Sequence, residues 1–177
     1  MGTLRDRNSR QAAAAPAELQ VVTFPVGGEE FGLDIGAITE ALRPLPVTVL
    51  PHMPPFIEGV INLRGTIIPV VDLRKRFGLA RDAAPQRTTR MIITRGAVPG
   101  PGGGPGLLGL VVDGVRDVMH IPLSQIEQAP EAARGHGSVF VAGVAKAADR
   151  LIILLDITRI LTGEERAALS EAGDVHA

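Results

Sequence analysis

Four histidines, His52, His120, His136 and His176, come first, because imidazole is both a common base and a common metal ligand. They are dispersed, and no two stand in the His-x-x-x-His spacing that puts both on one helix face, so no metal centre is expected. Cysteine is absent, which excludes disulfides, thiolate metal sites and thiol catalysis and fits a reducing cytosol. Asp34, Asp72, Asp113 and Asp156 each fall at a strand end or turn, where aspartate commonly accepts from local backbone N–H groups. Nothing marks any two of them as an acid–base pair. Ser124 and Ser138 lack a nucleophile-elbow context, and Ser138 lies in a small "GHGS" loop. The stretch "GAVPGPGGGPG" (96–106) has neither the Lys-Ser/Thr of a phosphate loop nor a helix start behind it. Its prolines, Pro99, Pro101 and Pro105, remove donors that a phosphate cradle uses. A small hydrolase would need a clustered acid, base and nucleophile. The sequence shows none, and no cofactor is expected.

What does stand out is a corner. In "EGVINLRGTIIPVVDL" (58–73), two apolar β-branched runs are joined by Asn62-Leu63-Arg64-Gly65. Asn at the first position and Gly at the fourth indicate a type I turn, which would put Leu63 and Arg64 at its tip. An arginine among apolar residues is a hot-spot composition for binding another protein.

The elements that hold this corner are written twice. "FIEGVINLRGTIIPVVDL" (56–73) lies over "FVAGVAKAADRLIILLDI" (140–157) without a gap, keeping Phe56/Phe140, Gly59/Gly143, Val60/Val144, Ile68/Ile152 and Asp72/Asp156. Upstream, "FGLDIGAITEAL" (31–42) lies over "LGLVVDGVRDVM" (108–119), pairing Gly32 with Gly109, Leu33 with Leu110, Ile38 with Val115 and Glu40 with Asp117. What the copies share, Gly59, Asp72, Gly143 and Asp156 included, serves packing, turns and caps. The corner is not shared: Lys146-Ala147-Ala148-Asp149 replaces it, so Leu63 and Arg64 are candidates for contact with something outside the fold.

β-Branched runs and turn residues predict five short strands per copy. They are 20–26, 30–35, 38–43, 59–63 and 66–71, then 91–95, 107–112, 115–121, 139–144 and 150–155. Without room for long crossover helices, this is a mostly β chain of two small barrels. Asp72 is placed to cap a turn through "LRKRF", and Thr162-Gly-Glu-Glu165 is a capping box opening a C-terminal helix. The division expected is a flexible tail over 1–17, barrel halves over 18–88 and 89–163, and a C-terminal helix and tail over 164–177. The Gly/Pro stretch 96–106 reads as a mobile loop, neither strand nor helix.

Composition narrows the partners. A hydrophobic fraction of 45% supports a packed core, while a net charge of −1 with scattered Lys and Arg argues against nucleic acid. There is no Trp or Tyr to stack bases. The longest apolar runs are too short to cross a bilayer, and the N-terminus resembles neither a secretory signal nor a myristoylation site. No direct membrane contact is expected.

"NLRG" followed at once by "TIIPVVDLRKRFG" resembles the hallmark of the CheW family, the bacterial chemotaxis coupling proteins. "VVTFPVGGEEFGLDI", "AITEAL", "PPFIEGVINLRG", "GLVVDGVRDVM" and "LIILLDITRILT" resemble the family's other blocks in order, over about residues 19–165. The resemblance implies two intertwined five-stranded SH3-like β-barrels and a non-enzymatic, cytoplasmic adaptor recruited to membrane-associated receptor arrays. The implied partners are the regulatory domain of the histidine kinase CheA and the cytoplasmic hairpin tip of chemoreceptors, with other CheW-like domains as further candidates. Flagellar chemotaxis and a pathway controlling twitching, development or gene expression are both open. Asn62, Leu63, Arg64 and Gly65 match the hallmark, and Ile38 and Glu40 match the strand beside it. Glu40 is placed to pair with Arg64. Three departures from the family pattern are Phe31 in place of a common Tyr, the longer Gly/Pro stretch, and the proline-rich "RPLPVTVLPHMPP" (43–55).

Overall fold

A computed structural model of the chain describes residues 17–79, 86–129 and 139–174. The tail before Ala17, the GHGS loop with His136, and the last three residues with His176 lie outside them. Eleven strands form among the described residues: β1 (Glu18–Val26), β2 (Glu29–Asp34), β3 (Ile38–Leu42), β4 (Ile57–Leu63), β5 (Thr66–Asp72), β6 (Arg90–Pro99), β7 (Pro105–Val112), β8 (Val118–Pro122), β9 (Ile126–Glu127), β10 (Val141–Ala147) and β11 (Arg150–Leu155). Helix α1 (Leu73–Arg76) follows β5 and α2 (Gly163–Asp174) ends the described chain.

The strands build two curled sheets, one in the order β3-β6-β7-β5-β4 and one in the order β8-β1-β2-β11-β10-β9. Each sheet therefore takes strands from both sequence copies, which is the intertwining. Pairing follows the repeat: β2 runs parallel to β11 with Gly32 opposite Leu154, and β7 runs parallel to β5 with Gly109 opposite Val70. These are the positions that the two alignments superimpose, so the duplication is visible in the backbone.

Shared residues hold shared geometry. β4 and β10 each carry a bulge, at Ile57/Gly59 and at Val141/Gly143. A Cβ on Gly59 would overlap the Thr48 carbonyl, and one on Gly143 would come within 2.7 Å of the Glu127 carbonyl oxygen. A third segment thus crosses close over each glycine, which only the missing side chain permits. Asp72 accepts from the N–H of Arg74 at 2.9 Å and Asp156 from that of Thr158 at 3.0 Å, each capping the turn after its strand.

Between the sheets lies the main core, in which Phe24, Phe31, Phe77 and Phe140 form a row with successive ring centroids 6.3, 4.8 and 4.6 Å apart. The Arg76 guanidinium lies 4.5 Å from the Phe56 ring centroid and its Nε donates to the Ile160 carbonyl. Glu165 accepts from Thr162 N–H while Thr162 Oγ1 accepts from Glu165 N–H, so the capping box forms and starts α2.

Three expectations need correction. The second sheet has six strands, because Ile126–Glu127 pairs with β10 where an equivalent of Thr48 is needed. The strand after Val112 begins at Val118, not Val115. The Gly/Pro stretch is mostly strand: β6 runs on to Pro99, β7 starts at Pro105, and those two prolines face each other across the hairpin. Ladder bonds are interrupted between Arg95 and Pro99, which is how prolines without N–H groups are accommodated. Buried Ala97 and half-buried Val98 join the main core there, so the base of this hairpin is structural.

Candidate partner-binding site

Leu63 pairs with Thr66 across the β4–β5 hairpin, so the connection is a two-residue loop of Arg64 and Gly65. Both have positive φ, 51° and 86°, the values of a type I′ turn, whose twist suits a tight hairpin. The type I turn read from the sequence is therefore displaced by one residue. Asn62 still acts in it, accepting from the Gly65 N–H through Oδ1 at 2.9 Å. Leu63 is not at the tip. It is half-buried and packs with Leu42 and Leu107 on the cluster of Ile61, Ile68, Val70, Met91 and Ile93. Arg64 alone is displayed.

Its side chain is 71% exposed, yet it is held. Nη1 donates to Glu40 Oε1 at 2.7 Å and Nη2 to Oε2 at 2.8 Å, the two-pronged geometry that a guanidinium makes with a carboxylate. Glu40 stands on β3, one edge of the first sheet, and a bulge between Ile38 and Glu40 aims it. Ile38 itself packs against the main core. The hydrogen bonds from Arg64, with the attraction of its charge, hold the Glu40 carboxyl below its ordinary value, and the same pairing raises Arg64. The pair holds an exposed arginine in one orientation, which would lower the side-chain entropy lost if the residue bound another protein.

Of the residues singled out, Asn62, Arg64, Gly65 and Glu40 converge at the corner, with Leu63 beneath them. Ile38 lies one bulge away. Asp72 and Asp156 sit at the far ends of their hairpins, and Asp72 also neighbours buried Arg74, whose Nε is 3.5 Å from Asp113. Sequence reasoning missed Ile67, 57% exposed on β5 beside the turn, and its counterpart Leu151, 61% exposed on β11. Alternation gave the signal, since Ile68 and Val70 face inward. Among the described residues no group of three His, Asp or Glu is arranged for a metal, and no helix is long and apolar enough to cross a membrane.

The profile of the CheW-like domain family matches residues 20–165. The chain is 33% identical over 157 residues to a chemotaxis protein CheW of Klebsiella aerogenes, covering 89% of this chain and 90% of that protein. It is 33% identical over 149 residues to the chemotaxis protein CheW of Rhizobium meliloti, covering 84% and 91%. The crystal structure of the scaffolding protein TtCheW from Thermoanaerobacter tengcongensis superposes with a TM-score of 0.73 at 35% identity, over 84% of this chain and 96% of that one. With the duplicated, strand-exchanged sheets and the Asn62–Gly65 corner already in place, these matches settle the family: the chain belongs to the CheW-like domain family.

Proposed function

We propose that this chain is a non-catalytic adaptor in a chemosensory pathway, joining the regulatory domain of the kinase CheA to the cytoplasmic tip of chemoreceptors. Other CheW-like domains are further candidate partners. The adaptor works in the cytoplasm and reaches the membrane only through the receptors it binds. One observation carries the reading. Arg64 is an exposed arginine pre-oriented by Glu40, in the one copy of the repeat whose turn holds an arginine at that position. Asn62 and Gly65 shape the turn, Leu63 anchors it, and Ile67 offers an apolar contact beside it.

Titrating the chain with a soluble receptor-tip hairpin and, separately, with the kinase regulatory domain tests this. Saturable one-to-one binding to both, with both present together in one complex, is expected. Absence of binding to either partner would overturn the reading.

A further inference from the structure

The repeat places a second acid–arginine cluster at the other barrel's corner. Asp117 is the counterpart of Glu40, and Arg150 stands two residues after Ala148, the counterpart of Arg64. Arg150 Nη1 donates to Asp117 Oδ2 at 3.3 Å and Nη2 to Met119 Sδ at 2.9 Å, while Nη2 lies 3.2 Å from Glu30 Oε1. Arg116 is 3.8 Å from the other Glu30 oxygen. The Glu30 side chain is only 10% exposed and Arg150 is 34% exposed, with its Nε buried.

This cluster occupies the place of an apolar plug. In the first barrel Ile61, Leu63 and Leu107 pack together under the corner. Their counterparts in the second barrel are Ala145, Ala147 and Glu30. Two large aliphatics have become alanine and the third is the carboxylate of Glu30, against which the Arg150 guanidinium lies. The location matters for the exchanged strands. Glu30 belongs to β2, from the first copy. The β1–β2 hairpin meets the second barrel through five β1–β8 pairs on one side but only two parallel β2–β11 pairs, Ile153 with Phe31 and Leu154 with Gly32, on the side where Glu30 stands.

We infer that Arg150, Glu30 and Asp117 form a lock. The cluster fastens the exchanged β1–β2 hairpin to the second barrel and closes that barrel's corner, so that this arginine does not dock partners. The inference rests on the proposed function only for its second half. The two corners of one duplicated fold have diverged: at one the arginine faces out over an apolar plug, and at the other it is the plug.

The test uses the full chain with Arg150→Met, Glu30→Leu and the double variant. Arg150→Met leaves the nearly buried Glu30 carboxylate with only the longer Arg116 contact, and Glu30→Leu leaves Arg150 with only the exposed Asp117 carboxylate, whereas the double variant removes both charges from the shared contact. Each single variant should lower the melting temperature by about 6 °C or more. The double should recover at least half of the summed loss, and it should fold even where a single does not. Affinity for the receptor-tip hairpin should stay within about threefold of the parent in every folded variant. An unchanged melting temperature for Arg150→Met, or a double variant less stable than the worse single, would overturn the lock. A tenfold loss of binding with unchanged melting would overturn the closed corner. Binding by the parent in the same titration separates either failure from failure of the adaptor reading.

Discussion

Arg64 and Glu40 meet in a two-pronged ion pair, 2.7 and 2.8 Å long, that ties a hairpin turn to an edge strand of the same sheet. The two residues are 24 apart in sequence and no backbone ladder joins β3 to β4 or β5. An exposed pair of this kind contributes little to folding. Its consequence is orientation.

The pair should be visible in titration. Glu40 is held below its ordinary value of 4.5 by the hydrogen bonds from Arg64. A depressed carboxyl keeps its pairing above that value and loses it as pH falls through the lower folded-state value. Carboxyl NMR should show Glu40 titrating below 4.5 in the parent and moving up in Arg64→Ala. An unchanged midpoint in the variant would mean that the fork does not persist in solution.

Replacing Asp156 by Ala should cost about 1 kcal/mol, the usual loss of a cap. Asp72→Ala should cost more, about 3 kcal/mol, because it also removes a carboxylate from nearly buried Arg74. Urea unfolding measures both. Equal losses would show that Arg74 is satisfied without Asp72.

The tip and base of the long hairpin should behave differently. Replacing Gly100–Gly104 with Asn-Gly should leave the melting temperature within about 2 °C, since closure entropy varies slowly with loop length. Deleting 96–106 should lower it clearly, because buried Ala97 is lost from the main core. Equal tolerance of both changes would make the whole hairpin dispensable.

Gly59→Ala should be among the more damaging single-methyl changes, since its Cβ would overlap the Thr48 carbonyl and its φ is 142°. Gly65→Ala, with nothing within 4 Å of the added atom, should suffer only from its positive φ of 86°. Thermal unfolding of the two variants checks this order.

Much of this architecture was legible because duplication repeats its constraints. Gly59 and Gly143 mark the same bulge, Asp72 and Asp156 the same cap, and Thr162 with Glu165 a local motif that needs no tertiary knowledge. What escaped depends on register. Asn62-Leu63-Arg64-Gly65 suits a type I turn by composition, but pairing of Leu63 with Thr66 shifts the loop by one residue and turns Leu63 inward. Prolines and glycines made 96–106 look like a loop, although two opposed prolines can face each other on strands whose ladder is already interrupted. Arg150 was invisible as a corner residue because it stands two positions away from the counterpart of Arg64 and is recognised only by the carboxylates around it.

The most direct measurement is the affinity of Arg64→Glu for the receptor-tip hairpin, read beside its melting curve. Unchanged melting with binding weaker by about 2 kcal/mol or more, and a smaller loss for Arg64→Ala, is the result expected of a central, displayed arginine. Full binding by a folded Arg64→Glu protein would contradict the account and move the docking surface away from this corner.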